Sequence, residues 1–157
     1  MVQTLHSQIE ISHPPLEVKR LFLDFSSIPQ FHAGFTVRAM DASKPNPQPG
    51  DRLEINSNGT VLRPIVLENT TEHFYWQGNF HGLIKGTHMW RFLPSEEEGN
   101  RGGTTFVQAE DFEGVLSLLF SKWWPKWLGG MRGSIERDFE RFNGDFKSWG
   151  EGGRDRG

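Results

Sequence analysis

The sequence predicts an α+β protein, a meandering antiparallel sheet of about seven short strands with helices placed early and last. Two observations carry this. Between Leu5 and Phe112 the chain runs through short apolar/polar alternations separated by proline- and glycine-rich punctuation, the pattern of half-buried strands. The final stretch, Met131 to Trp149, changes period: Ile135, Phe139, Phe142, Phe146 and Trp149 recur at steps of four and three, within roughly an 80° arc of a helix. A stripe that aromatic needs a concave apolar surface to bury it, and a curved sheet supplies one.

Taken in order, Leu5, Ser7, Ile9 and Ile11 alternate as a strand, and Ser12-His13-Pro14-Pro15 ends it. Ser12 or His13 suits a helix N-cap, with proline at the first positions and Glu17 in the first turn. Leu16, Leu21, Phe22 and Phe25 give that helix an apolar side, and Pro29 marks a further helical turn ending near Phe31. Phe35 to Met40 alternates again. The prolines between Lys44 and Gly50 make a stiff turn. Asp51 to Asn56 and Thr60 to Glu68 read as a hairpin about Ser57-Asn58-Gly59, followed by strands over His73 to Phe80, Leu83 to Leu93 and Thr104 to Phe112. Val115 to Met131 is apolar, with Trp123, Trp124 and Trp127 interrupted by Pro125. It is open to use as a short helix on the sheet edge, a lid over a pocket or an exposed patch that makes a homodimer. In the last helix, Asn143-Gly144 is the weak point, since glycine costs a helix interior about 1 kcal/mol relative to alanine. Arg137, Glu140, Arg141 and Lys147 mark its polar side, with Asp138 to Arg141 and Arg141 to Asp145 spaced for ion pairs. One domain over residues 1–149 is expected, with a disordered tail over 150–157.

Composition bounds the function. With 13 Phe and 6 Trp against 1 Tyr in 157 residues, the chain has aromatic bulk for a core or for the walls of a pocket. The net charge is −3 and no basic run exceeds a pair, so a nucleic-acid partner is not expected. There is no cysteine, which excludes disulfides and thiolate chemistry. No apolar stretch approaches the ~20 residues of a membrane span and no signal-peptide pattern precedes the first strand, so a cytoplasmic protein is expected. The histidines show no metal-ligand spacing, no metal site or cofactor is expected, and His32 and His81 read as residues near element ends, open to rimming a cavity but better read as surface histidines.

A succession of motifs resembles a known family. Pro14-Pro15 and a helix, Asp24-Phe25 through Ile28-Pro29, Trp76-Gln77-Gly78, Gly82 through His88, Gly103 through Val107, Glu110 through Gly114, and finally Phe139 through Asn143 with Phe146-Lys147 stand in the order found in small SRPBCC (START-like, pollen-allergen-like) proteins of the polyketide cyclase/dehydrase-like group. The resemblance implies a helix-grip fold, in which a bent sheet wraps a long C-terminal helix with a cavity between them. Gln30-Phe31-His32 and the tryptophan-rich Trp123-Trp124-Pro125 depart from that group's usual pattern, near where the ligand would lie.

Alternation sorts the strand residues onto two faces. Putting Phe74, Trp76, Gly78 and Phe80, then Ile84, Gly86, His88, Trp90 and Phe92, then Phe106, Gln108, Glu110 and Phe112 inward leaves Lys85 and Arg91 outside; the opposite register would bury those charges. His88, Gln108 and Glu110 are then polar groups in a greasy interior. His88 and Glu110 suit an acid/base pair for enolisation, ring closure or dehydration, and equally a structural hydrogen bond that anchors the sheet. Phe31, Trp76, Phe80, Trp90, Phe106, Gln108, Phe112, Trp123, Trp127, Phe139 and Phe142 are expected to shape a hydrophobic ligand. Three functions remain open: an accessory cyclase or dehydratase of polyketide- or terpenoid-like secondary metabolism, a non-catalytic carrier of a lipophilic small molecule, and an Hsp90-activator-like interaction module using the Trp123 to Trp127 segment.

Overall fold

A computed structural model of the protein describes residues 3–80, 84–114 and 126–152. β1 (Gln3–Ile11) leads into α1 (Pro15–Leu23), a 3-10 turn (Phe25–Ser27) and the short α2 (Ile28–Phe31). Next come β2 (Phe35–Ala39), β3 (Leu53–Ser57), β4 (Thr60–Leu62), β5 (Ile65–Asn69), β6 (His73–Phe80), β7 (Ile84–Pro94), β8 (Thr104–Glu113) and α3 (Lys126–Gly152). Five strands pair in the order β1-β8-β7-β6-β5 and three in the order β2-β3-β4, all antiparallel.

The described residues hold eight strands where the sequence suggests about seven, because the run Thr60 to Glu68 divides at Pro64. A proline has no N–H to donate to a ladder. The carbonyl of Pro64 instead accepts from the Leu53 N–H at 3.0 Å, and Arg52 bridges Ile65, so the two sheets are joined at a sharp bend. The β3–β4 turn places Asn58 at φ 49° and Gly59 at φ +90°, the left-handed pair that a two-residue hairpin requires.

α1 differs from its sequence reading at two points. Pro14, not Ser12 or His13, occupies the N-cap, since Ser12 turns away to donate from its N–H and its hydroxyl to Glu151 of α3, each at 2.7 Å. Leu16 is 67 % exposed, and Val18, Leu21 and Phe22 form the buried face, the i, i+3, i+4 set one step round the helix. Phe22 lies among the rings of Phe74, Trp90, Phe92, Phe106 and Phe146 at centroid distances of 5.0–6.1 Å. This cluster fills one end of the space between sheet and α3.

α3 runs unbroken through Asn143-Gly144. Asn143 is buried, and its Nδ2 donates to Ser7 Oγ of β1 at 3.2 Å, which fixes the helix to the sheet where its propensity is poorest. The helix continues past Trp149 to Gly152. Lys147 bonds the Glu10 carbonyl and pairs with Glu151. Among the described residues Arg141 forms no ion pair with Asp138 or Asp145, and Asp145 is taken by His32 of the α2 end, Nδ1 to Oδ2 at 2.7 Å. His32 is correspondingly only 7 % exposed, against the expectation of a surface histidine. Among the described residues no helix is long and apolar enough to cross a membrane.

A methyl group built on Gly144 meets no atom within 4 Å. Gly144→Ala is therefore expected to raise the unfolding free energy by about 0.5–1 kcal/mol, whereas Phe22→Ala lowers it by about 3–5 kcal/mol. Urea denaturation measures both.

Candidate functional site

Opposite the aromatic cluster, the sheet and α3 stand apart and enclose a cavity of about 310 Å³. Its floor is set by the ladder register. Trp76 faces His88 across β6–β7 and His88 faces Glu110 across β7–β8; one step along, Trp90 faces Gln108, and one step the other way, Gly78, Gly86 and Phe112 stand in line. From the inward face derived from alternation, Trp76, Gly78, Gly86, His88, Trp90, Gln108, Glu110 and Phe112 line the cavity, while Lys85 and Arg91 are exposed. Phe139 and Phe142 of α3 form the roof, and Ile55, Leu62 and Pro64 close one flank from the smaller sheet.

The glycines leave the cavity its volume. A Cβ on Gly78 would meet nothing within 4 Å, and one on Gly86 would come within 2.9 Å of Glu110 Oε1. Gly86 thus gives the Glu110 carboxyl its place.

His88 lies flat against Trp90, ring centroids 4.0 Å apart and planes within 9°, with Trp76 and Phe139 also against it. Its Nε2 accepts a hydrogen bond from Gln108 Nε2 at 2.8 Å. That bond leaves the imidazole proton on Nδ1, the nitrogen facing Glu110 Oε2 at 3.9 Å, an approach too long for a hydrogen bond. The side chains of His88 and Glu110 are 14 % and 19 % exposed. Burial among rings penalises the charged form of each, pushing His88 down to about 3 and Glu110 up to about 7. A neutral imidazole beside a carboxyl group that exchanges its proton near neutrality is the chemistry this wall offers.

Other expected site residues divide by position. Trp76, Trp90, Gln108, Phe112, Phe139 and Phe142 line the cavity. Phe106 does not: fully buried, it packs on Phe22, Phe92 and Phe146 and belongs to the closed aromatic end. Phe31 stacks on Trp149 at 5.0 Å and borders a shallow groove outside the mouth with His32, Gly34, Asn58 and Asp145. The side chains of Phe80 and Trp127, and the whole of Trp123, lie outside the described residues, as does most of the Val115 to Met131 segment on which the lid, dimer and interaction-module readings depend. The sequence reading missed Ile55, Leu62 and Ile135 as walls. Ile55 and Leu62 are cross-strand partners, and their apolar alternation in β3 and β4 was the available signal. Arg141 and Asp138, read as solvent-facing, rim the opening.

A bent antiparallel sheet gripping a C-terminal helix over an aromatic-walled cavity defines a cyclase-like fold suited to hydrophobic ligands. The chain belongs to the polyketide cyclase/dehydrase and lipid transport family, whose model matches residues 2–148. Solved structures agree on the fold. Ara h 8.0201 superposes with a TM-score of 0.66 at 9 % identity, covering 96 % of this chain and 98 % of that one. The ZhuI aromatase/cyclase from a Streptomyces species gives 0.65 at 13 % identity, with 96 % and 94 % covered. The di-domain aromatase/cyclase BexL gives 0.67 at 14 % identity, with 96 % of this chain and 50 % of that one covered. No curated protein matches the sequence.

The shift of Glu110 has a thermodynamic signature. Its pKa is raised in the fold, from 4.5 to about 7, so its contribution to stability is full below 4.5 and is lost as pH rises towards 7. Glu110→Gln removes this loss. The variant is expected to gain on the parent steadily between those pH values, reaching a Tm advantage on the order of 5 °C above neutrality. Thermal melts across the pH range check this, and a difference independent of pH would place the carboxyl in water.

Proposed function

We propose that the protein is an accessory cyclase- or dehydratase-type enzyme acting on a hydrophobic, polycyclic or aromatic ketone, with Glu110 as the proton-transferring residue and His88 as its neutral partner. The observation that carries the reading is a carboxyl group of near-neutral pKa set in the wall of an apolar cavity, beside an imidazole that stays uncharged. In the ionised form Glu110 takes a proton from the carbon next to the substrate carbonyl, and the electron pair moves into an enolate. In a dehydration the same proton then passes to the departing β-hydroxyl; the C–H and C–O bonds break, C=C forms, water leaves, and Glu110 returns to the carboxylate. The His88 Nδ1–H, on the side of Glu110, steadies the carboxylate while it is charged.

The family description and the aromatase/cyclase neighbours support the substrate class. A second reading, a non-catalytic carrier using the same cavity, is favoured by the way Gln108 and Trp90 hold His88 in place, and by the family's inclusion of lipid transport.

β-Tetralone, a bicyclic ketone with an activated benzylic methylene, separates the two. The protein is expected to accelerate exchange of its α-protons in deuterated water, at a rate that rises through about pH 7 as Glu110 ionises. Glu110→Gln is expected to lower that rate by about 10²-fold or more while retaining binding. Gly78→Phe, which fills the cavity, is expected to abolish both. Exchange unaffected by Glu110→Gln would overturn the catalytic assignment, and binding without exchange would establish the carrier.

A further inference from the structure

The mouth of the cavity holds a second histidine–carboxylate pair, made by residues 113 apart in the chain. His32 Nδ1 lies 2.7 Å from Asp145 Oδ2. A carboxylate only accepts, so this bond keeps the imidazole proton on Nδ1 and leaves Nε2 with a lone pair. The ring is fixed from other directions as well. The His32 backbone N–H closes α2 on the Ile28 carbonyl, and Phe142 and Phe35, both cavity walls, make T-shaped contacts with the imidazole at 5.2 and 6.3 Å. Turning the ring over would set a carbon against Asp145 and lose the bond.

Nε2 is the open atom of an otherwise buried residue. It has no partner among the described residues, yet it is not sealed in as Trp90 Nε1 and Gln108 Oε1 are. His32 lines the cavity and also the shallow groove outside the mouth, so Nε2 belongs to the junction of the two. Apolar matter comes to that junction from the cavity, and water from the groove. Arg141 lines both hollows too and forms no ion pair with Asp138 or Asp145, which sets a cation at the same place. His73 and Glu68, 2.9 Å apart, make a bond of the same kind, but neither of them lines the cavity or the groove.

An imidazole held through one nitrogen by a carboxylate, with the other nitrogen free, is a general base. We infer that His32 and Asp145 form a water-activating dyad that hydrolyses carboxylic esters whose apolar part occupies the cavity and whose carbonyl stands at the mouth. Among the described residues no hydroxyl bonds Nε2, so the nucleophile is water. Nε2 takes a proton as the water oxygen bonds to the carbonyl carbon, and the C=O electron pair moves onto oxygen, where Arg141 supplies positive charge. The C=O then forms again, the C–O bond to the leaving oxygen breaks, and that oxygen takes the proton from Nε2. An acid and an alcohol leave, and His32 is neutral once more. Asp145 stays ionised throughout and steadies the imidazolium. This activity rests on the cavity being the ligand site, as proposed above, and does not draw on Glu110.

The test is the hydrolysis of β-naphthyl acetate by the full chain, followed by the fluorescence of the naphthol released. His32→Gln is expected to lower the protein-catalysed rate by about 10²-fold and Asp145→Asn by about tenfold or more. Gly78→Phe, which fills the cavity, is expected to remove the activity. Because the dyad also ties α2 to α3, the assignment is checked without mutation too. Diethyl pyrocarbonate acylates an open imidazole nitrogen, and hydrolysis is expected to fall in step with carbethoxylation of His32, located by peptide mass spectrometry and slowed by β-methylnaphthalene. Hydrolysis that survives His32→Gln, carbethoxylation of His32 or Gly78→Phe would overturn the inference. A parent protein that exchanges the protons of β-tetralone but leaves the ester intact would overturn the dyad alone. One that neither cleaves the ester nor binds β-methylnaphthalene would overturn the cavity reading with it.

Discussion

The ring of Phe22, driven by α1 into the hollow of the sheet, is the contact on which the architecture depends. It meets rings from β6, β7, β8 and α3 at one point, so it sets how far the sheet can stand from the helix. Aromatic side chains are stiff and bulky, and a cluster of them works as a spacer as well as a core. At the Phe22 end the space is filled. Beyond it the spacing persists, but the residues facing inward on β6 and β7 are Gly78 and Gly86, and a cavity follows where side chains are missing. Fold and site are thus one construction.

That construction explains the ionisation of the site. Removing a carboxyl and an imidazole from water penalises both charged forms, and the bond His88 accepts from Gln108 is to its neutral form. A charged His88–Glu110 pair at hydrogen-bond distance would have pushed the two groups the opposite way. At 3.9 Å, with Gln108 occupying Nε2, desolvation prevails, and Glu110 remains the group that changes protonation near neutral pH.

The strand pattern made most of this legible in advance, because alternation has period two and the cost of burying Lys85 and Arg91 chose the face. His88 and Glu110 could then be placed on one wall without knowing which strands pair. Alternation does not say where along the wall the cavity ends. Phe106 has the same parity as Gln108 and Glu110, yet it falls on the filled side, a distinction set by where α1 inserts Phe22. His32 escaped for a related reason. Its partner Asp145 lies 113 residues away on a helix face that looks polar by itself, and such pairings exist only after the helix has docked. Leu16 likewise had the right chemistry but the wrong angle, since Val18, Leu21 and Phe22 already complete the buried face of α1.

Gln108 shows why the polar members of such a wall are better read together than singly. A glutamine in a greasy strand looks like a lesser companion to the His and Glu beside it. Its amide nitrogen determines which imidazole nitrogen carries the proton, and therefore whether His88 faces Glu110 as a donor or as a lone pair. The same bond leaves its carbonyl oxygen buried without a partner. One side chain therefore couples the state of the acid/base pair to the polarity of the floor. A residue that was apolar here would free His88 to change tautomer, and one that was charged would redirect Glu110; a neutral amide leaves Glu110 as the titrating group.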